Sequence, residues 1–261
     1  MAGAFHRHSP GADDLDIPLG SRIFQIDFDF VDHRLNVLLA NGGSRSLPLR
    51  PRSVAEFYQV FMAALSELGI RLKITTNPVE AENIIPFDED SVHAAYDRTY
   101  VQRWWRIRLQ VDRLLQRYRT RFVGKSSPVQ FWWGAFDLSE TRYSGRPLPE
   151  RQWPARWQSL GAHQEFAEAG FWPGGGTFLE PAFFAYAVPE PPGLRDASIS
   201  PGPAGYHSPL GEFILPYKEV TRSSSPDKMV LDFLNSTYEV EADLGGWDRK
   251  ALELPDPLPG P

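Results

Sequence analysis

The strongest constraint in this chain is an alternation. In RIFQIDFDFVDHRLNVLL, Phe24, Ile26, Phe28 and Phe30 alternate with Gln25, Asp27 and Asp29, the two-residue period of a strand with one buried face. Ile23 flanks the run, and a second strand is expected to end at Leu39. Asn41-Gly42-Gly43 then supplies a turn that tolerates positive φ, followed by a short apolar stretch at Leu47 and Leu49. Strands this close in sequence pair locally, which favours antiparallel sheet.

Helical spacing follows. Ser53 and Glu56 have the spacing of a capping box, and Val54, Phe57, Tyr58, Phe61, Leu65 and Leu68 recur at helical intervals up to Gly69. IRLKITT is then expected to return as a strand. From Tyr100 to Phe122, Trp104, Ile107, Val111, Leu114, Leu115 and Tyr118 mark one face of a longer helix, with Arg103, Arg106, Arg113 and Arg117 on another. SSPVQFWWGAFDLSETRY, EPAFFAYAVPEP and GEFILPYKEV are expected strands, rich in rings. Ser225-Pro226 opens a further helix through Val230, Leu231, Leu234 and Tyr238, which stops at Gly245-Gly246.

This order predicts an α+β fold, an antiparallel β-sheet with packed helices, in which strands-then-helix is a candidate duplicated unit. Residues 1–20 are expected to form a flexible leader. A single α+β domain follows over 21–249, with candidate halves 21–98 and 99–249, and an extended proline-rich tail occupies 250–261.

Composition excludes several functions. The 261 residues carry a net charge of -6, which offers nucleic acid and anionic lipid no general attraction. Without cysteine there is no disulfide, thiolate nucleophile or Cys-ligated zinc. No apolar run reaches the roughly 18 residues needed to span a bilayer, and the start lacks a secretion signal's apolar core, so a cytoplasmic location is expected.

The strings PFDEDSVHAAYD, RFVGKSSPVQFWWGAFDLSETRYSG, GFWPGGG, EPAFFAYAVPEPPG and STYEVEADLGGWDR together resemble an uncharacterised bacterial family, Domain of Unknown Function 5996, from about Gly20 to Arg249. The resemblance implies that a Trp-rich N-terminal segment would precede RIFQIDFDF. Its absence would leave a strand edge for another chain, a candidate route to a homo-oligomer. The resemblance implies no activity or cofactor.

PFDEDSVHAAYD places Asp90, His93 and Asp97 at i, i+3 and i+7. On a helix they would share a face, where a carboxylate-imidazole-carboxylate set suits a divalent metal. Asp90 and Glu89 could equally orient His93 as a general base. The same acids also suit the first turn of a helix, against its positive dipole end. In AGYHSPLGEF, His207 and Glu212 sit beside a strand start and are secondary catalytic candidates. Lys125, in FVGKSSP, is an anion-binding candidate or a helix C-terminal lysine. No P-loop is present, because the upstream glycine is missing.

The three glycines after Trp172-Pro173 suit close approach to a ligand or a loop across the sheet. Asp137 and Glu140 lie among Trp132, Trp133 and Phe136, with Arg142 as the expected partner. Asp27 and Asp29 read as the wet side of their sheet. The arginine-rich face reads as solvated or paired within the protein.

These residues lead to one expectation, a small organic ligand held in an aromatic-lined pocket with acid/base or metal-assisted chemistry. Trp132, Trp133, Phe136, Lys125, Trp172 and Tyr186 would contact the ligand. The rival expectation is a non-catalytic binding or assembly module using an exposed sheet edge or the arginine face.

Overall fold

The alternation of the first segment becomes a ladder. A computed structural model of the protein describes residues 11–13, 16–78, 83–149, 162–176 and 178–255. It contains two antiparallel sheets and has the expected α+β architecture. The chain forms two compact units, Met1–Arg108 and Leu109–Pro261.

In the first unit, β3 (Arg22–Asp29) pairs with β4 (Arg34–Leu39), which pairs with β5 (Ser44–Pro48). β1 (Gly11–Asp13) and β2 (Ile17–Leu19) both pair with β3, so the described part of the expected leader is strand. Residues 1–10, 14 and 15 of that leader lie outside the described residues. Phe24, Leu35, Val37 and Leu39 are buried on one face. Asp27 and Asp29 are buried too, against the expectation of a wet side. Asp29 is consumed by the β3–β4 turn, its Oδ1 accepting from Val31 N at 2.9 Å and Asp32 N at 2.8 Å.

Helix α1 (Val54–Glu67) begins as expected, with Ser53 Oγ accepting from Glu56 N at 3.1 Å. It ends where Arg22 donates to Gly69 O at 2.6 Å, tying β3 to the helix terminus. The expected strand IRLKITT does not form. Its alternation is present, but no strand lies alongside residues 70–76 among the described residues, and Ile70 N closes the helix end on Leu65 O. Helix α2 (Arg98–Arg119) runs on into the second unit.

The second unit is built on a six-stranded sheet ordered β10-β11-β9-β8-β7-β6. Its strands are β6 (Gln130–Trp132), β7 (Asp137–Pro147), β8 (Gln164–Trp172), β9 (Ala182–Val188), β10 (Gly205–His207) and β11 (Glu212–Pro216). The segment expected to be one strand at 126–143 is a hairpin, β6 turning into β7 through Trp133–Phe136, where Phe136 takes φ 61. GEFILPYKEV is a strand only to Pro216, whose missing N–H ends the ladder, and α3 (Tyr217–Arg222) follows. Helix α4 (Pro226–Leu244) opens on its N1 proline as expected, and the short α5 (Arg249–Leu252) occupies part of the expected tail, of which 256–261 lie outside the described residues.

One sheet face carries Phe183 and Phe213 against α4, which contributes Phe233 and Leu234, all four fully buried. Each such side chain contributes about 1.5–3 kcal/mol relative to an exposed position. The other face positions the candidate site.

Candidate functional site

Side-chain alternation fixes what each face displays. The registers Ser139↔Gly170, Thr141↔Glu168, Glu168↔Tyr186 and His207↔Glu212 put Asp137, Ser139, Thr141, Glu168, Tyr186, Glu212 and His207 on the face away from α4. Trp132 and Trp172 share it. Five residues expected from the sequence therefore occur together there, namely Trp132, Trp172, Tyr186, His207 and Glu212.

Glu168 is the hub, and the sequence reading did not name it. Its Oε1 accepts from Ser139 Oγ at 2.7 Å, and its Oε2 accepts from Tyr186 OH at 3.1 Å and Thr141 Oγ1 at 3.3 Å. Ser139 in turn accepts from Trp132 Nε1 at 2.8 Å. Burial pushes the Glu168 carboxyl above the ordinary range, opposed by the three hydrogen bonds. Glu212 is pushed up to about 7, first by burial and then by the negative charges of Glu168 and Asp137. Burial, with Glu168 and Glu212 nearby, raises the Tyr186 phenol well above its usual value.

The glycine loop supplies a wall to this face. Gly174 has φ 96, and a Cβ there would come within 2.8 Å of the Leu179 backbone, so the chain can double back only without a side chain. The return places Phe178 beside Trp172, with centroids 6.2 Å apart, and beside His207 at 5.4 Å. Trp172, Phe178, Tyr186 and Leu210 pack on buried Ala182, Phe184 and Ile214. His207 Nδ1 is buried without a hydrogen-bond partner.

Other expected residues lie elsewhere. Phe131, Trp133 and Phe136 form their own ring cluster at the β6–β7 turn, with Phe131–Trp133 centroids 4.8 Å apart. Lys125 is not a helix-terminal lysine; it donates to Gln164 Oε1 at 3.1 Å and sits 4.5 Å over the Tyr143 ring. Glu140 does pair with Arg142, at 3.1 Å, but on the α4 face. There Arg142 also donates to Tyr118 O at 2.7 Å and lies 3.4 Å over the Tyr118 ring.

PFDEDSVHAAYD does not form a helix, so the shared face expected for Asp90, His93 and Asp97 is not made. The stretch caps α1 instead, with Val54 N donating to His93 O at 3.0 Å and Ala55 N to Asp90 O at 2.9 Å. Asp90 Oδ1 accepts from Val92 N and His93 N, both at 3.0 Å, and Oδ2 meets His93 Nδ1 at 2.8 Å. The backbone bond from His93 leads in holding Asp90 below the ordinary carboxylate range. Asp97 serves a different helix, accepting from Thr99 N at 2.8 Å at the start of α2, and Glu89 is exposed. Among the described residues no group of three or more His, Asp or Glu side chains is arranged to hold a metal ion.

The first unit holds one further pair that sequence reasoning missed. Buried His33, at φ 55, has its Nδ1 2.8 Å from Tyr96 OH. Burial and then the Arg98 charge lower the imidazole, while burial raises Tyr96 to about 12. Nothing in the local spacing of His33 separates it from an ordinary turn residue.

Of the expected arginine face, Arg113 is paired with Asp227 through two bonds of 2.8 Å, and Arg117 lies 3.6 Å from the same carboxylate. Among the described residues, no helix is long and apolar enough to cross a membrane.

Fold and site together define an α+β protein whose larger sheet carries buried Glu140 on one face and half-buried Glu168 and Glu212 on the other, the latter edged with aromatic rings. The chain belongs to a family of unknown function, DUF5996, whose model matches residues 3–254. No match was found among curated proteins or solved structures.

Proposed function

We propose that the Glu168–Glu212 face of the second unit binds a small organic molecule bearing a basic or hydrogen-bond-donating nitrogen, and that Glu212 exchanges a proton with it. The observation that carries this reading is a carboxyl pushed to about 7 on the same face as a second carboxyl held by three side-chain donors. A group titrating near neutrality serves as donor or acceptor at working pH, which is what general acid/base chemistry requires. Tyr186 and Glu168 orient the polar end, and Trp132, Trp172 and Phe178 offer ring surface for the apolar part.

A fragment screen followed at the Trp132 and Trp172 indole N–H signals tests it, comparing the native chain with Glu212→Gln and Glu168→Gln. Amine or amidine fragments should bind the native chain and lose most of their affinity in both variants. Equal binding to all three proteins, with the variants folded, would overturn the reading.

A second reading, assembly, is favoured by the β6–β7 turn, where Trp132, Trp133 and Phe136 are 39%, 36% and 43% exposed. Light scattering of a Trp133→Ser, Phe136→Ser double variant tests it. A monomeric native chain counts against assembly there.

A further inference from the structure

The motif EVEADLGGWDR plays no part in the face described above, yet it lines a concavity. A cleft of about 150 Å³ lies at the C-terminal end of α4, lined among others by Arg146, Glu165, Glu241, Leu244 and Trp247. We propose that this cleft is a binding site for a small organic cation, an alkylammonium or guanidinium group, with Glu241 as its acceptor and the Trp247 ring as its wall.

The first argument is the unmet demand of Glu241. The residue is 2% exposed, and its Oε1 is buried with no hydrogen-bond partner. A buried acceptor left unbonded is costly and rare, so such an atom marks a place where a donor is missing. Among the described residues, the charge that acts on Glu241 is that of Arg142. That guanidinium is committed elsewhere, donating to Glu140 Oε2 at 3.1 Å and to Tyr118 O at 2.7 Å.

The second argument is that the cleft's other charges are already matched. Arg146 donates to Glu165 Oε2 at 2.7 Å and to Gly246 O and Gly245 O at 3.1 and 2.5 Å, capping the helix end. Glu190, which also lines the cleft, is paired with Arg195 at 2.7 Å and accepts from Tyr206 OH at 2.6 Å. What remains is one acid beside the carbonyl-bearing, negative end of a helix, a setting that favours a cation. Trp247 suits the same ligand, because a ring face attracts ammonium and guanidinium groups.

The glycine pair holds the wall in place. A Cβ on Gly245 would come within 2.8 Å of Glu241 O and 3.0 Å of Trp247 Nε1, so only glycine lets the indole fold back under the helix end. Burial pushes the free Glu241 carboxyl well above its ordinary range. Uptake of a cation therefore releases a proton, and binding should tighten as pH rises.

The experiment titrates the full chain with n-butylammonium and with methylguanidinium, using n-butanol as the uncharged control, and follows the Trp247 indole N–H by NMR. The expected result is a saturable shift for the cations alone, with affinity reduced about tenfold or more in Glu241→Gln. Leu244→Trp, at an exposed position on the same cleft, should also block the shift, which keeps the test open if Glu241→Gln fails to fold. No saturable shift, an equal response to n-butanol, or cation affinity unchanged in a folded variant would each overturn the proposal. The Glu168 face plays no part in this readout, so either proposal can fail alone.

Discussion

Tyr186 on β9 donates its hydroxyl to Oε2 of Glu168 on β8 across 3.1 Å, directly opposite in the antiparallel register. The bond makes a phenol and a carboxyl one unit, since ionising either without the other leaves a charge in a partly buried place.

Glu212, beside this unit, should govern part of the pH dependence of stability. Its folded value of about 7 exceeds the ordinary 4.5, so between those values the folded chain keeps a proton that the unfolded chain has lost. Stability should therefore fall as pH rises from the lower to the higher value and level off above it. The decline is at most about 3 kcal/mol. Glu212→Gln should remove it, as measured by urea unfolding on either side of the window; an unchanged decline would contradict the assignment.

Glu168→Gln should lower the Glu212 midpoint, because the Glu168 charge is the second cause of its elevation after burial. Carbon-detected NMR titration of the side-chain carboxyls reads this directly. A midpoint that stays near 7 would mean that burial and the Asp137 charge set it without Glu168.

Arg142 should be among the most sensitive positions in the second unit. Replacing it by alanine strands buried Glu140 and empties the space between the Tyr118 and Tyr238 rings, 3.4 and 4.4 Å from its guanidinium carbon. The cost should be about 3–5 kcal/mol by denaturant unfolding. Arg142→Lys should not restore it, since an ammonium cannot stack between two rings while bonding both Glu140 and the Tyr118 carbonyl.

Gly170→Ala should destabilise the chain although its backbone strains no side chain. The added Cβ would collide with the Leu138 carbonyl oxygen and come within 2.8 Å of Ser139 Cβ and 2.9 Å of the Phe184 ring. A loss of about 2 kcal/mol or more is expected from overpacking. A thermal melt at the native temperature would show that the β7–β8 ladder gives way easily.

The acidic stretch separates into two roles under mutation. Asp97→Ala should cost about 1 kcal/mol as a lost helix cap. His93→Ala, at a side chain 62% exposed, should change stability by no more than about 0.5 kcal/mol. Chemical denaturation of both variants distinguishes them; a reversed ranking would show that the imidazole carries more than its contact with Asp90.

The sequence made some elements legible and hid others for physical reasons. α1, α2 and α4 were readable because their apolar residues recur at helical spacing, with Ser53 and Ser225-Pro226 marking two of the helix starts, β3 because of its two-residue period, and β9 because of its ring-rich run bounded by prolines. β8 was not. Its QEFAEAGFW is covered on both faces, so Phe166 and Ala167 are buried alike and no alternation survives, while Glu and Ala are poor strand formers. Glu168 was missed with the strand that carries it. Glu212, Tyr186, Trp132 and Trp172 were candidates from the sequence, but that they share a face depends on register across four ladders, which local spacing does not encode. PFDEDSVHAAYD misled because its acids suit a helix start; the helix that its 90–93 carbonyls cap lies earlier in the chain, at Val54.

β7 carries polar groups on both sides, Ser139 and Thr141 toward Glu168, Glu140 and Arg142 toward α4. Sliding this strand by one residue against β8 would carry Glu140 and Arg142 off the α4 face and turn Ser139 and Thr141, with their hydrogen bonds, away from Glu168. Misaligned pairing is thus penalised by charge as well as by lost packing. The same charges that burden the finished fold act as a proofreader while it assembles.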